Sequence, residues 1–178
     1  MHPDAPLTLS IVTAEALERD LAGFGALLHA CVQDGASVSF ILPFSHEESE
    51  TFWRGKVLPG VREGGLILLA ARQDGRIAGS VQLDHDTPPN QPHRAEVRKL
   101  LVHPDFRGRG IARLLMAELE RLARGLNRSL LTLDTRTGDK AEPLYASMGY
   151  KVAGIIPDFC RDTVSERLDP TTIMYKAL

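Results

Sequence analysis

Arg107-Gly108-Arg109-Gly110-Ile111-Ala112 follows an apolar segment, Lys99 to His103, and opens a helix-like stretch, Ile111 to Arg124. A glycine-rich turn from strand to helix is an anion cradle. Its two glycines let the backbone bend and come close to a phosphate, while the unpaired N–H groups and the positive end of the helix hold negative charge. The ligand implied is a phosphate-bearing cofactor. A mononucleotide-binding loop would continue Gly-Lys-Ser/Thr, which is missing. A dinucleotide fingerprint would place a third glycine where Arg113 stands. Both common nucleotide readings weaken on those grounds.

Outward from the cradle, the chain alternates strand and helix patterns. Leu7 to Val12 alternates as a half-buried strand, and Thr13 stands as an N-cap before the helical period begun by Ala16, Leu17 and Leu21. Asp34-Gly35 is a break and Ser39 to Pro43 a short extended piece. Ser45-His46-Glu47-Glu48 supplies the cap and acidic first turn of a second helix reaching about Leu58. Leu66 to Arg72 and Arg76 to Leu83 are strands joined through Gln73-Asp74-Gly75, where Asp-Gly signals a hairpin. The order continues with strand His93 to His103, the cradle and helix Gly110 to Arg124, and strand Leu130 to Thr135. Helix Asp139 to Met148, strand Tyr150 to Ile155, a loop, and final strand Thr172 to Ala177 complete it. An antiparallel meander leading into such units predicts one mixed sheet with helices on both faces.

Composition bounds the rest. At 178 residues, 43% hydrophobic and 25% charged, the chain fits a single domain over residues 1–178, large enough to bury roughly 70% of its unfolded surface. A formal charge of −2 leaves no electrostatic footprint for a nucleic-acid backbone, so nucleic acid is not an expected partner. Met1 to Asp20 has neither a cationic lead nor an apolar core of signal-peptide type, and the uncharged run Leu21 to Gln33 is broken by Gly23 and Gly25. The expectation is a soluble, cytoplasmic protein without a membrane partner. Cys31 and Cys160 lie far apart and the six histidines are scattered, so no disulfide framework and no metal site is expected.

The cradle pattern Arg-x-x-Gly-x-Ala, after a strand carrying Val97-Arg98-Lys99-Leu100-Leu101-Val102, resembles the coenzyme A pyrophosphate loop of the GCN5-related N-acetyltransferases. Ala141-Glu142-Pro143-Leu144-Tyr145-Ala146-Ser147-Met148-Gly149-Tyr150 is similar to that family's second signature, a helix carrying a tyrosine and ending at glycine before an aromatic. The resemblance implies an α/β (α+β) fold in which a mixed, mostly antiparallel central sheet is flanked by helices. It implies acetyl-coenzyme A as acyl donor, with the backbone of Leu101, Val102 and His103 along the cofactor and Arg107, Gly108, Arg109, Gly110, Ile111 and Ala112 around its pyrophosphate. Tyr145 would be the general acid for the leaving sulfur; a core tyrosine looks the same on a helical wheel. One position departs from many relatives, which carry asparagine where Gly138 stands. Relatives of this kind are often dimers, and the final strand fits either an interface edge or an internal place in the sheet.

An amine nucleophile must lose a proton before attack, which a nearby carboxylate accepts. Glu96 and Asp134 are the candidates, on neighbouring strands that splay apart in this fold. From spacing alone, Glu96 fits equally a strand-face ion pair with Arg94 or Arg98, and Asp134 a turn cap near Thr135 and Thr137. Gly35-Ala36-Ser37-Val38-Ser39-Phe40, Arg94-Ala95-Glu96-Val97, Leu133-Asp134-Thr135 and Pro157-Asp158-Phe159-Cys160 together resemble the tabtoxin-resistance acetyltransferases, which implies catalytic or amine-binding roles for both acids. Phe40, Phe44, Phe52, Trp53 and Phe159 would wall an acceptor pocket or belong to the core, and Ser37 and Ser39 would meet a polar group of the acceptor. The sequence therefore reads as an N-acetyltransferase for a small amino-acid-like or peptide-like amine. A protein N-terminus or lysine as acceptor, or a non-catalytic acyl-coenzyme A sensor, are the other readings.

Overall fold

The computed structural model describes residues 6–178; the opening of the Met1 to Asp20 segment lies outside the described residues. The chain runs β1 (Thr8–Val12), α1 (Ala14–Arg19), α2 (Leu21–Gln33), α3 (His46–Phe52), a π-helical turn (Trp53–Val57), α4 (Leu58–Glu63), β2 (Leu66–Gln73), β3 (Arg76–Asp84) and β4 (Arg94–Val102). A 3-10 turn (Pro104–Phe106), α5 (Ile111–Gly125), β5 (Leu130–Arg136), α6 (Ala141–Ser147), β6 (Lys151–Arg161) and β7 (Leu168–Ala177) follow.

The seven strands form one sheet in the order β1-β2-β3-β4-β5-β7-β6. Every neighbouring pair is antiparallel except β4 and β5. Asp74 (φ 53°) and Gly75 (φ 71°) both adopt the left-handed conformation of a tight hairpin turn, which is why Asp-Gly stands there. Thr13 caps α1, its side chain accepting from Ala16 N–H at 3.2 Å. Ser45 and Glu48 close a reciprocal capping box on α3.

Two cores lie on opposite faces. On one, α5 presents Ile111, Leu115, Met116, Leu119 and Ala123 to Leu69, Val81, Val97, Leu131 and Leu133 of the sheet, with Tyr145 of α6 in the same cluster. On the other, α2 buries Phe24, Leu27, Leu28, Cys31 and Val32 among Trp53, Leu66, Leu68 and Leu101. Each such large side chain, wholly removed from water, stabilises the fold by about 1.5–3 kcal/mol. Close approach is set at two glycines. A Cβ at Gly25 would lie 2.8 Å from Glu50 Cγ, and one at Gly79 would lie 2.7 Å from Leu101 O. The first lets α2 and α3 touch; the second lets β3 run beneath the start of α5.

Three expectations change. The first helical period divides into α1 and α2 at Asp20. Ser39 to Pro43 is irregular rather than extended, with Ser39 at φ 80°. The final two strands are longer than the sequence suggests, so that most of the expected loop is a β-hairpin, and β7 lies inside the sheet with β6 at its edge. The described residues contain no helix long and apolar enough to cross a membrane.

Candidate active site

The β4–β5 pairing covers only Arg94–Leu130, Ala95–Leu131 and Glu96–Thr132. Beyond Glu96 the two strands part, so a slit opens through the sheet along the second half of β4. The cradle stands at its far end on the α5 face. Gly108 (φ 76°) and Gly110 (φ 77°) both occupy the left-handed region, and a Cβ on either would project into open space. Gly110 is the N-cap of α5, whose hydrogen-bond ladder starts with Leu114 N–H donating to Gly110 O at 3.1 Å. The N–H groups of Ile111, Ala112 and Arg113 therefore have no acceptor inside the helix and face its positive end. This backbone fits a pyrophosphate.

The two arginines of the loop are already held by the protein. Arg107 pairs with Asp34 at the end of α2 and donates from Nε to Val102 O at 3.2 Å. Arg109 donates to Gln73 Oε1 and Asp105 O, with its guanidinium 5.2 Å from the Phe106 ring centre. They brace the cradle as well as charging it.

Strand alternation refines the expectation for Leu101, Val102 and His103. His103 N–H donates to Ala78 O at 2.9 Å and its carbonyl accepts from Phe106 N–H. Residues two apart on a strand turn their peptide groups the same way, so Leu101 faces β3 with His103, and Leu100 and Val102 face the slit. The peptide groups that face the slit are thus those of Leu100 and Val102, while the N–H groups of Leu101 and His103 turn toward β3. Val102 O additionally accepts from the Cys31 thiol at 3.5 Å. Burial pushes that thiol up to about 11, so it stays protonated and is no nucleophile.

Tyr145 is buried on the same face as the cradle, its ring 5.7 Å from that of Tyr150. Burial first, then the charges of Asp134 and Asp139, hold its phenol well above the ordinary range. It is a neutral O–H donor at physiological pH.

The carboxylates stand on the opposite face. Because Glu96 pairs with Thr132, strand alternation puts Glu96, Thr132 and Asp134 on one side of the sheet. Glu96 accepts from Arg98 Nε at 3.2 Å, and Arg98 also donates to Asp84 at 2.7 Å. Arg94 instead donates to Thr132 Oγ1 at 3.0 Å. Asp134 is solvent-exposed, and its hydrogen-bond contact among the described residues is a long one from Thr171 Oγ1 at 3.4 Å, not the local turn cap that the sequence also allowed.

A roof closes over this face from two distant segments. Thr163 O accepts from Leu42 N–H and Thr163 Oγ1 donates to Ala36 O, each at 2.9 Å. Ser37 Oγ lies 3.8 Å from Cys160 Sγ. Arg136 anchors the β6–β7 hairpin through Asp162 at 3.1 Å and Asp169 at 3.6 Å. Of the expected aromatic wall, Phe44 and Trp53 belong to the core, Phe40 and Phe52 are half-buried beside the site, and Phe159 is 51% exposed on β6. Next to Arg98 a groove of about 530 Å³ runs past Lys56, Gln82, Asp84 and His85.

One residue of the site escaped the sequence reading. The β3–β4 register slips by a residue between Ser80–Leu101 and Gln82–Arg98, and the extra residue falls at Lys99 (φ 49°) and Leu100. A bulge breaks alternation, so Lys99 follows Arg98 onto the acceptor face. Its Nζ donates to Ser39 Oγ at 2.8 Å. No turn residue marks the bulge.

Residues 30–150 match the acetyltransferase (GNAT) family. An uncharacterised N-acetyltransferase from the hisH–hisA intergenic region of Azospirillum brasilense is 33% identical over 114 residues, 63% of this chain and 66% of that protein. An acetyltransferase of Pectobacterium atrosepticum is 36% identical over 92 residues, 51% of this chain and 61% of that protein; the match thus spans somewhat under two thirds of each relative's length. The fold is shared with solved structures of lower identity. A ribosomal-protein-alanine N-acetyltransferase from Brucella melitensis superposes with a TM-score of 0.76 at 21% identity, covering 96% of this chain and 99% of that one. YncA of Salmonella typhimurium, solved with its cofactor acetyl-CoA, superposes with a TM-score of 0.75 at 18% identity, covering 98% and 95%. The glycine cradle, the slit behind it and the extent of the match agree: this chain belongs to the acetyltransferase (GNAT) family.

Proposed function

We propose that the chain transfers the acetyl group of acetyl-coenzyme A to the primary amine of a small amino-acid-like or peptide-like molecule, a toxin or antibiotic among the candidates, by direct attack. The observation that carries this reading is the slit between β4 and β5, with a phosphate cradle and a neutral tyrosine on one face and two carboxylates on the other.

Acetyl-coenzyme A supplies an acyl carbon activated as a thioester. The N–H groups at the start of α5 and the glycines before it hold the pyrophosphate, while Leu100 and Val102 offer slit-facing backbone to the arm that follows. Asp134 and Glu96 receive the ammonium form of the acceptor and take up the proton it sheds, directly or through a water. As the N–C bond forms and the C–S bond breaks, the Tyr145 O–H donates a hydrogen bond to the departing sulfur, which leaves as the thiolate and takes its proton from solvent. No covalent enzyme intermediate is required. The roof made by residues 36–42 and Thr163 favours a small acceptor over an extended polypeptide. For a homodimer we favour the β6 edge of the sheet, where Val152, Ile155 and Ile156 are exposed, over the other edge at β1.

Release of coenzyme A thiol is the direct test, measured against amino acids, dipeptides, aminoglycosides, polyamines and a tabtoxin-type β-lactam amine. Acceptor-dependent release with one small-amine class is the expected result. Cofactor binding without release by any small amine would instead support a protein acceptor or an acyl-coenzyme A sensor.

A further inference from the structure

Lys99 and Arg98 are adjacent cations on the acceptor face, yet their surroundings differ. Arg98 is matched by two carboxylates, Asp84 at 2.7 Å and Glu96 at 3.2 Å. Lys99 is half-buried, and its close polar partner is a neutral hydroxyl, Ser39 Oγ at 2.8 Å. The rest of its environment is aromatic, Nζ lying 5.7 Å from the Phe52 ring centre and 6.0 Å from that of Phe40. A cation drawn out of water is costly unless a counter-charge meets it, and none of the ion pairs among the described side chains includes Lys99. Across the site Asp134 is the reverse case, an exposed carboxylate whose contact is a long one from a hydroxyl. Asp134 and Glu96 both act electrostatically on Lys99, in keeping with the three charges standing on the same face of the sheet, where Lys99 also meets Ser39 of the 36–42 segment.

Two charges of opposite sign on one face of the sheet, neither held in a direct ion pair among the described residues, match a ligand that carries both signs itself. We propose that Lys99 binds a carboxylate of the acceptor, so that the preferred substrate is a free α-amino acid or a small peptide-like zwitterion whose carboxylate lies near its reactive amine. The inference rests on the acetyl-transfer reading above and deepens it. The bulge in β4 is then a specificity device, because without the extra residue Lys99 would point to the α5 face and the site would hold carboxylates and Arg98 alone. The seat over two aromatic rings keeps the ammonium in place before the ligand arrives.

The test compares α-amino acids with their methyl esters as acceptors, in the wild-type enzyme, Lys99→Met and Lys99→Arg. The quantity read is the ratio of kcat/KM for acid over ester, and dividing the wild-type ratio by the variant ratio cancels the difference in amine basicity. A lost charge-assisted hydrogen bond corresponds to roughly 10- to 100-fold. Expected is a fall of that size in the ratio for Lys99→Met, carried by KM for the free acid, with KM for acetyl-coenzyme A unchanged and Lys99→Arg retaining part of the preference. Equal losses for acid and ester in Lys99→Met would overturn the proposal and make Lys99 a fastening of the roof. A wild-type enzyme that turns over amines but has a ratio unaffected by Lys99→Met would overturn it too. Silence of the wild type with every small amine would overturn the small-amine reading and this proposal with it.

Discussion

The two faces of the sheet are built by different sequence logic. The α5 face takes its cradle, helix and core stripe from one contiguous stretch, Arg107 to Ala123, with Tyr145 added from α6. The face under α2–α4 takes its polar site from β3, β4, β5, the 36–42 loop and the β6–β7 hairpin, segments far apart in sequence and joined by contacts such as Thr163 to Ala36 and Lys99 to Ser39. A phosphate is held by backbone, which a short glycine motif can specify by itself. An acceptor is held by side chains, which only tertiary structure brings together. The cradle face is therefore expected to control stability and cofactor affinity, and the opposite face turnover and choice of acceptor.

The largest effect expected is on turnover, from the carboxylates. Asp134→Asn and Glu96→Gln should each lower kcat by about 100-fold, the lower end of what a positioned acid or base contributes, while the dissociation constant for acetyl-coenzyme A holds. Calorimetric titration beside steady-state kinetics checks this. A matching loss of cofactor affinity would erase the division between the faces, and unchanged turnover in both variants would sink the acid–base assignment.

Gly79→Ala tests the other half of the comparison. Its Cβ would meet Leu101 O at 2.7 Å and the side chains of Leu115 and Ile111 at 3.2 and 3.3 Å, so β3 must move away from β4 and α5. Overpacking of this kind costs about 1–3 kcal/mol, readable as a lower urea midpoint at constant slope. Kinetic loss without destabilisation would mean that this face is looser than its packing indicates.

Gly110→Ala acts more narrowly. A side chain at φ 77° costs about 1–2 kcal/mol, and the added methyl projects into the open space of the cradle. KM for acetyl-coenzyme A should rise by roughly tenfold, the kinetic equivalent of about 1.4 kcal/mol, with the ranking of acceptors intact. A changed ranking would show that the two faces are coupled through the slit.

The same contrast governs how much was legible in the sequence. Local signals located the hairpin at Asp74-Gly75, the caps Thr13 and Ser45, the amphipathic α5 and the cradle, because each is decided by neighbours within a few positions. The splay of β4 from β5, implied by the family resemblance, is visible in a register of only three pairs. Other features gave no local cue. The bulge at Lys99 carries no glycine, proline or asparagine, so Arg98 and Lys99 read as alternating residues when they share a face. β6 is exposed from Lys151 to Phe159, so it shows no two-residue alternation, and Pro157 with Asp158 at φ 50° looks like the end of a strand. Its continuation depends on Arg136 gripping Asp162 and Asp169, a contact between residues that sequence spacing does not connect. Tyr145 stayed divided between core and catalyst for a physical reason: burial in the α5 core is what a packed core residue and the proposed neutral donor both require.

The smallest effect should separate the faces by pH. Burial, as the first cause, lowers the pKa of His29 beside α3, of His85 in the groove near Arg98 and of His103 at the end of β4. A histidine whose folded pKa lies below its unfolded value of about 6.5 is stabilising while neutral. As pH falls through that value the unfolded chain takes up protons first, and stability drops until the folded pKa is also passed. Protonation has a structural consequence at each face. His103 Nδ1 accepts from Asp105 N–H at 3.2 Å and so helps shape the turn leading into the cradle; on the other face, His29 stacks on His46 with ring centres 3.7 Å apart, where a second charge is repelled. Tm should therefore decline from about pH 7 toward pH 5, before the salt-bridged carboxylates such as Asp105 and Asp162, held low by Arg76 and Ser165 respectively, begin to protonate. His29→Gln should flatten that decline, and saturating acetyl-coenzyme A, which binds only the folded chain, should raise Tm at every pH without changing the slope that His29 sets. A slope that vanished on cofactor binding would place the acid-sensitive group in the cradle, and would make His103, not His29, the residue through which protons loosen the fold.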